Sequence, residues 1–400
     1  MKAQPKASTE MITESAVFIG IDFHKRYSVY HVIDAAGQNL AKGRIDHQAP
    51  EQFGFLVQRW PNVRVAFEAS MNWHWLYEVL ERSMPGCHIT LANPFKTRII
   101  AEAQVKTDKV DARILALLLR AELICAVHIP ARETRQRKEV LRQRCFFVRQ
   151  RTMLRNRIHR LLGAQHDLKL PQVSDLFGKK GMSFLEKLEL PAPHGLLLRQ
   201  QLELLKSIQL RVKEDEAALA GMMEDCAEMK WVLSIPGMGP ILAPVVINEI
   251  DGIKRFSSAQ KLCGYCGLCP STSSSGGKTY NGKLLKQCNK WLRWAFVEAA
   301  WVAIGNSAYF ADIYRKKRAY GKKANTAILC VARRMARITW QLLMQRREYT
   351  ASAPLPPPSG QHPNSGPSED SDYTALEGRT AQPKQNFPSR SENCLVGREA

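Results

Sequence analysis

The order of apolar segments in the first third of the chain constrains the fold more than any other feature. Three short stretches with alternating apolar residues, AVFIGID, YSVYHVID and AKGRIDH, fall within positions 16–47 and predict strands. Helix-like and strand-like segments then alternate through APEQFGFLVQRW, VRVAFEAS, WHWLYEVLERS, HITLAN, PFKTRIIAEA and DKVDARILALLLRAELI. Three meandering strands followed by strand–helix units predict a mixed sheet flanked by helices.

This order is that of the ribonuclease H-like fold, so we expect residues 15–128 to form an α/β unit of that class. Actin-like ATPases and sugar kinases share the fold and begin with a similar segment. They place small residues after the strand-end Asp, whereas this chain has Phe23, His24 and Lys25 there. Bulky side chains at these positions disfavour the close approach of the backbone to a nucleotide phosphate.

A basic helical arm is expected over residues 129–229. Residues 131–160 hold eleven Lys or Arg and two Glu around an apolar stripe that repeats every seven residues: Val140, Phe147, Leu154 and Leu161. A second long helix is predicted over 195–225. Two long helices indicate a helical hairpin or coiled coil. The excess of positive charge favours a nucleic-acid contact over a solvated charged face.

The charge balance also indicates a polyanionic partner. The chain carries 58 Lys and Arg against 37 Asp and Glu, a net charge of +21, and solubility alone is the alternative explanation. The N-terminus MKAQPKASTEMITES lacks the apolar core of a signal peptide, and no apolar run of about 18 residues predicts a membrane span. Ten scattered Cys are expected to stay reduced. Together, these features predict a cytoplasmic, nucleoid-associated protein without membrane contact.

Two further segments complete the chain. Residues 230–348, opening with WVLSIPGMGPILAPVVINEI and ending in apolar and basic helices, are expected to form a mainly α unit. Residues 349–400 are rich in Pro, Ser and Gly and are expected to be disordered, because they cannot bury enough apolar surface to fold.

Four carboxylates occupy positions that a mixed sheet would bring together. Asp22 ends the first predicted strand and Glu68 the fourth, while Asp108 and Asp111 lie one turn apart near a predicted helix start. Four such groups at one sheet edge would bind a pair of Mg²⁺ ions, which clamp the attacking and leaving oxygens in phosphoryl transfer. For each residue alone, a surface position or a helix cap is the alternative.

The pattern GIDFHK…FEAS…KTDKVDA resembles the insertion-sequence transposases of the DEDD type, the IS-one-ten group. The later segment, from SIPGMGPILA through GLCPSTSSSGGK to KWLRWAFVEAA, resembles the C-terminal domain of that family. Its landmarks are a P-G-x-G hairpin, a GLxP stretch, a Ser-Gly pair and a final K…LR…EAA pattern. The resemblance extends over about residues 15–345.

The resemblance implies both a fold and an activity. It implies a RuvC-like N-terminal domain, in which Asp22, Glu68, Asp108 and Asp111 hold Mg²⁺, and a C-terminal serine transposase domain. The implied activity is Mg²⁺-dependent cleavage and strand exchange on double-stranded DNA, the element ends and the target, guided by a structured RNA from the element. Strand exchange between two duplexes needs several active sites, so a homodimer or tetramer is expected.

The family's nucleophile is a serine that directly precedes Gly, shortly after the Pro of GLxP, and forms a covalent link to the DNA phosphate. Here that position is Ser275, which follows Pro270 and precedes Gly276, with Ser274 as the second choice. A serine hydroxyl is a weak nucleophile without an adjacent base or metal. No His lies near this run, so we expect its activation to come from the carboxylate site.

Nucleic-acid contacts are predicted at basic residues of the arm and of the two flanking units, and at two glycines of the SIPGMGP turn. These residues are Lys106, Lys109, Arg142, Arg149, Arg151, Arg155, Arg157, Gly237, Gly239, Lys278, Lys286 and Arg293. The glycines would expose backbone N–H groups to a phosphate at a helix–hairpin–helix turn. A plain turn between helices is the alternative.

Other interpretations of the serine region are weaker. GGKTYNG resembles a Walker A motif, but Thr272 stands where the first Gly is required. The spacing of Cys263, Cys266 and Cys269, with Cys288 as a fourth ligand, is compatible with a zinc or iron–sulfur site, although packing as small apolar residues is favoured. A RuvC-like nuclease without a covalent intermediate and a non-catalytic nucleic-acid-binding protein remain alternative functions.

Overall fold

A five-stranded mixed sheet forms the N-terminal unit. The computed structural model describes residues 16–60, 62–100, 107–275 and 278–350, and only the backbone for residues 98–100, 272–275 and 278–281. The strands are β1 (Ala16–Phe23), β2 (Tyr27–Ile33), β3 (Asn39–Asp46), β4 (Asn62–Glu68) and β5 (His88–Ala92). Their spatial order is β3-β2-β1-β4-β5, with β1 antiparallel to β2 and parallel to β4. The expected mixed α/β arrangement is confirmed.

Helices cover both faces of this sheet. They are α1 (Glu51–Gln58), α2 (Trp73–Ser83), α3 (Pro94–Ile100) and α4 (Asp108–Arg120). Alternate residues of β1 face opposite sides: Ile19 and Ile21 pack in the core with α1 and α2, whereas Phe18 packs in the core with α4. Burial on both faces explains why the central strands read as nearly continuous apolar runs.

The arm consists of α5 (Arg132–Gly163), α6 (Lys179–Lys187) and α7 (His194–Met222). The helices α5 and α7 pack along each other, with Ile158 and Leu161 of α5 in one core with Leu202 and Leu205 of α7. The structure thus contains the two long helices that the sequence predicts, one with the heptad stripe and one over 195–225.

The C-terminal unit is mainly helical. Its elements are α8 (Glu228–Leu233), α9 (Leu242–Ile250), α10 (Ala259–Tyr265), β6 (Pro270–Ser275), β7 (Lys278–Leu284), α11 (Lys290–Asn306), α12 (Ala308–Ala319) and α13 (Ala324–Gln345). The helices α9, α10 and α12 pack against α11 or α13. No helix in the described part of the chain is long and apolar enough to cross a membrane.

The serine run forms a strand, which the sequence analysis did not predict. Strand β6 pairs antiparallel with β7, so that Ser274 lies opposite Thr279 and Ser275 opposite Lys278. Thr and Tyr residues in this segment favour extended backbone, and a Gly-Gly pair favours a tight hairpin connection. Residues 276 and 277, which join the strands, lie outside the described residues. The segment predicted to be disordered, 349–400, lies outside them from residue 351 onwards. Tyr349 is described, and its N–H donates to Ser234 Oγ at 2.8 Å.

Candidate active site

The edge where β1 and β4 end carries two of the four predicted carboxylates. Strands β1 and β4 run parallel with Ile21 opposite Phe67, so their carboxyl ends meet at one edge. Asp22 follows Ile21 directly, and Glu68 is the last residue of β4. Both side chains are partly buried. The strand register therefore places both residues at the same edge of the sheet.

The other two carboxylates begin helix α4. Thr107 caps this helix, because its Oγ1 accepts the Val110 N–H at 3.3 Å. Asp108 is the first residue of α4 and Asp111 lies one turn later. Carboxylates in a first helical turn are favoured by the helix dipole. Local capping chemistry thus explains at which residue α4 begins, and packing determines where α4 lies on the sheet.

A glycine sets the depth at which α4 packs on the sheet. A Cβ atom on Gly20 would lie 2.0 Å from the Ala112 carbonyl oxygen and 2.5 Å from the Ala116 nitrogen. Only a residue without a side chain permits this approach. Gly20 precedes Asp22 by two residues, so the close approach also brings Asp108 to the end of β1.

The carboxylates of Asp22 and Asp108 meet at an imidazole. His24 Nε2 lies 3.1 Å from Asp22 Oδ2 and 3.2 Å from Asp108 Oδ2. Tyr27 donates its hydroxyl to Asp108 Oδ2 at 3.0 Å. Among the described residues, Asp22, His24 and Asp108 form the one group of three metal-ligating side chains whose ligand atoms all lie within 4.8 Å of one another.

Negative charge is concentrated at this point. Burial raises the pKa of the Asp22 carboxyl, and the charges of Asp111 and Asp108 raise it further, while the neighbouring His24 offsets this only in part. A bound cation would relieve the repulsion between these carboxylates. Hard oxygen atoms with an adjacent imidazole suit a divalent metal ion, so the residues of this site fit such an ion.

His24 and Tyr27 were not predicted as site residues. His24 lies two residues after Asp22, and residues at this spacing share one face of an extended strand. This spacing in the sequence could have identified His24 as a residue on the same face as Asp22. Tyr27 lacks such a signal, because its contact with Asp108 depends on the turn between β1 and β2.

The predicted nucleophile lies in the C-terminal unit. Ser275 and Ser274 are on β6, and only their backbone is described. Helices of this unit pack against one another and, through α9, against α5. The assignment of Ser275 as nucleophile, with Ser274 as second choice, stays a prediction.

Several predicted nucleic-acid contacts are exposed or partly exposed. Lys109 is exposed at the start of α4, and Lys286 is exposed after β7. On α5 the side chains of Arg149 and Arg157 are exposed, and those of Arg151 and Arg155 are half-buried. Lys106 lies outside the described residues, and only the backbone of Lys278 is described.

Three other predicted contacts have partners within the protein. Arg142 Nη2 donates to Glu249 Oε1 at 2.7 Å, and Arg293 Nη2 donates to the Leu285 carbonyl. Gly237 has φ +90°, and a Cβ atom there would lie 2.2 Å from the carbonyl oxygen of Ala299 on α11. A Cβ on Gly239, by contrast, would meet no atom within 4 Å. Packing against α11 therefore accounts for the glycine at 237.

The cysteine-rich segment forms part of the C-terminal core. Cys263 and Cys266 are buried, and Cys269 and Cys288 are partly buried. A hydrogen bond with Cys269, followed by burial, raises the pKa of the Cys263 thiol, and burial is the main cause of the raised pKa of Cys266. Both groups are therefore protonated thiols at neutral pH, in line with their packing as small apolar side chains.

Comparison with known proteins identifies the family. A model described as the transposase IS116/IS110/IS902 family matches residues 229–315, and a transposase model for the DEDD type of IS110 matches residues 19–166. Residues 19–166 include the four carboxylates, and residues 229–315 include the β6–β7 hairpin.

Curated relatives extend over most of the chain. A probable family 20 transposase of Pseudomonas aeruginosa is 26% identical over 352 residues, which cover 83% of this chain and 98% of the relative. The transposase for insertion sequence element IS1328 of Yersinia enterocolitica is 24% identical over 337 residues, again 83% and 98%. An insertion element IS900 protein of Mycobacterium paratuberculosis is 32% identical over 119 residues, 30% of each chain. Two family models match in the expected order, and two relatives align over 83% of the chain. Together with the motifs and the carboxylate site, they show that the chain belongs to the IS110 family of DEDD transposases and is a transposase enzyme.

Proposed function

We propose that the chain cleaves and exchanges DNA strands at the ends of an insertion sequence, with Mg²⁺ held by Asp22, Glu68, Asp108 and Asp111. The observation that carries this proposal is the meeting of Asp22 and Asp108 at the end of β1, within 3.1 and 3.2 Å of one imidazole nitrogen. Carboxylates converging from a strand end and a helix start form a set that suits divalent ions in phosphoryl transfer.

The fold proposed for the N-terminal unit is ribonuclease H-like, of the RuvC type. The strand order β3-β2-β1-β4-β5, with three antiparallel strands followed by two parallel ones, supports this assignment. The proposed domains are a RuvC-like unit at 15–128, a basic arm at 129–229, a serine transposase unit at 230–348 and a tail at 349–400.

Ser275 is the proposed nucleophile, with Ser274 as the alternative. Its Oγ gives up its proton and forms a bond to a DNA phosphorus, the bond from that phosphorus to one backbone oxygen breaks, and the leaving oxygen takes up a proton. A divalent ion bound at the carboxylates would supply charge neutralisation for the phosphate and activation of the hydroxyl. The carboxylates of Asp22 and Asp108 would hold that ion, and Tyr27 orients Asp108 by its hydrogen bond.

The proposed partners are the double-stranded DNA of the element ends and target, a structured guide RNA and further copies of this chain in a dimer or tetramer. The basic helix α5, with exposed Arg149 and Arg157, supports a nucleic-acid partner. Its DNA substrate would place the protein at the nucleoid.

One experiment tests the chemistry. The full chain is incubated with RNA transcribed from the element ends, donor DNA and Mg²⁺, and products are resolved on denaturing gels. The wild type is expected to form a covalent protein–DNA adduct, which Ser275→Ala and Asp22→Asn abolish and the matched Ser271→Ala retains. An adduct that survives Ser275→Ala but not Ser274→Ala would identify Ser274 as the nucleophile.

A simple nuclease is the second candidate function. Asp22, His24 and Asp108 come together entirely within the N-terminal unit, so hydrolysis there needs no serine from the C-terminal unit. Cleavage without an adduct, unaffected by Ser275→Ala and Ser274→Ala, would establish this alternative. Absence of both cleavage and adduct from the wild type would favour a non-catalytic nucleic-acid-binding protein.

A further inference from the structure

An open cleft of about 900 Å³ adjoins the carboxylate site. Its lining includes His24 and Tyr27, the two residues that also contact Asp108. The lining also contains the cationic side chains of Lys25, Arg26 and Arg44, all exposed. A positively charged surface therefore begins where the acidic site ends.

Hydrogen bonds and a ring contact brace the backbone that carries Lys25 and Arg26. The β1–β2 turn is closed by a hydrogen bond from the His24 N–H to the Tyr27 carbonyl at 3.0 Å. The His47 N–H donates to the Arg26 carbonyl at 2.9 Å, and His47 Nε2 lies 2.9 Å from Ser28 Oγ. His47 also stacks on Phe23. These contacts hold Lys25 and Arg26 in place beside the carboxylates.

Arg44 connects the cleft to the carboxylate site. Its guanidinium carbon lies 3.8 Å from the centroid of the Tyr27 ring, a cation–π contact, and the hydroxyl of the same ring donates to Asp108. Asp46 is the one carboxylate among the described residues that line the cleft, and its Oδ1 accepts the Gln48 N–H at 3.0 Å. The cations of the lining therefore outnumber its acidic groups.

The charge pattern suits a phosphodiester strand. Carboxylates repel a phosphate unless a metal ion neutralises them. Cations on the adjoining surface therefore favour the binding of a polyanion that approaches the carboxylates. Lys and Arg contacts to backbone phosphates position a nucleic acid without reading its sequence.

We propose that this cleft binds the phosphate backbone of the DNA strand next to the phosphate that is cleaved, through Lys25, Arg26 and Arg44. The inference rests on the proposed function, which places the cleaved phosphate at the carboxylates. DNA is the occupant rather than RNA, because the cleft shares His24 and Tyr27 with the carboxylate site. The strand lying in it is the one that reaches those carboxylates.

The test compares two double variants of the full chain that lose equal charge. Lys25→Gln with Arg44→Gln removes two cations from the cleft. Lys42→Gln with Arg59→Gln is the matched control, because both residues are exposed and outside the cleft lining, and Arg59 also lies over an aromatic ring, that of Trp60. Equal thermal unfolding of the two variants establishes that both are folded.

The measurement is the dissociation constant of a mixed-sequence DNA duplex over a range of monovalent salt, with a fixed concentration of Ca²⁺ in place of Mg²⁺ to neutralise the carboxylates without supporting cleavage. Each lost phosphate contact lowers the slope of log affinity against log salt by about 0.9. The cleft variant is expected to lose about 1.8 of that slope if both residues contact phosphate, while the control retains the wild-type slope. A wild-type slope for the cleft variant overturns the inference.

Two further outcomes separate this inference from the proposed function. If the cleft variant keeps the wild-type slope and the adduct depends on Ser275 and Asp22, the cleft does not bind DNA phosphates and the proposed function stands. If the slope of the cleft variant is reduced but the wild type gives neither cleavage nor adduct, DNA binding by the cleft is supported and the proposed function is contradicted. A slope reduced for RNA of the same sequence but not for DNA overturns the choice of occupant.

Discussion

His24 Nε2 lies 3.2 Å from Asp108 Oδ2, although one residue follows the central strand β1 and the other begins helix α4. The same nitrogen lies 3.1 Å from Asp22 Oδ2. This contact marks the point at which the sheet and α4 converge, and therefore the point at which a divalent ion is expected to bind.

Tyr27→Phe is expected to weaken divalent-ion binding while leaving the fold intact. The hydroxyl of Tyr27 orients Asp108 by donating to Oδ2, and the loss of such a supporting hydrogen bond costs about tenfold in metal affinity. The measurement is Mn²⁺ affinity from the paramagnetic resonance signal of the free ion. Tyr320→Phe, at an exposed position, is the control. Unchanged affinity in Tyr27→Phe would show that Asp108 is oriented without this hydrogen bond.

Gly20→Ala is expected to displace α4 and to abolish divalent-ion binding. The added Cβ would lie 2.0 Å from the Ala112 carbonyl oxygen, and overpacking against backbone costs about 3 kcal/mol or more. Hydrogen exchange of the α4 amides and Mn²⁺ affinity are measured together. Gly163→Ala, where a Cβ meets no atom within 4 Å, is expected to change neither. Native protection of α4 in Gly20→Ala would contradict the role assigned to this glycine.

Glu249→Gln is expected to loosen the junction between the arm and the C-terminal unit. Burial raises the pKa of the Glu249 carboxyl, but Lys138 and Arg142 of α5, with a hydrogen bond from Asn289, outweigh burial and hold the pKa below its ordinary value. Removing one partner of a buried ion pair costs about 3–5 kcal/mol. The measurement is hydrogen exchange of the α9 and α11 amides at neutral pH, with exposed Glu203→Gln as control.

The effect of Glu249→Gln should also depend on pH. Because the native pKa is lowered, the ionised carboxylate stabilises the fold above its ordinary pKa, and this stabilisation disappears as the pH falls through the native value. The difference in protection between wild type and variant should therefore shrink in acid. A difference that is constant from neutral to acid pH would show that the charge of Glu249 contributes no stability.

Gly237→Ala and Gly239→Ala test which glycine of the SIPGMGP turn is required for packing. Gly237 has φ +90° and packs against the Ala299 carbonyl, so its replacement is expected to destabilise the C-terminal unit by about 3 kcal/mol. Gly239→Ala should leave stability unchanged, since a Cβ there meets no atom within 4 Å. Thermal unfolding measures both variants, and equal destabilisation by the two would argue against this division.

Much of the N-terminal unit follows from local sequence pattern. Alternating apolar residues predict β1, β2 and β3. The sequence left Asp108 as a possible cap of α4, whereas the structure shows Thr107 in that role. The hairpin of β6 and β7 was missed, because a Ser- and Gly-rich run carries no apolar alternation, and strand pairing there depends on the partner segment.

The sequence by itself determined which residues form the strands and helices of the N-terminal unit, and that Asp22 and Glu68 lie at strand ends, because strand and helix periodicity is local. Only the tertiary structure decided that His24 and Tyr27 join Asp108, that Gly237 packs on α11 and that Arg142 pairs with Glu249. These contacts join residues far apart in the chain. Packing sets their distances, and no local pattern encodes how closely two elements approach.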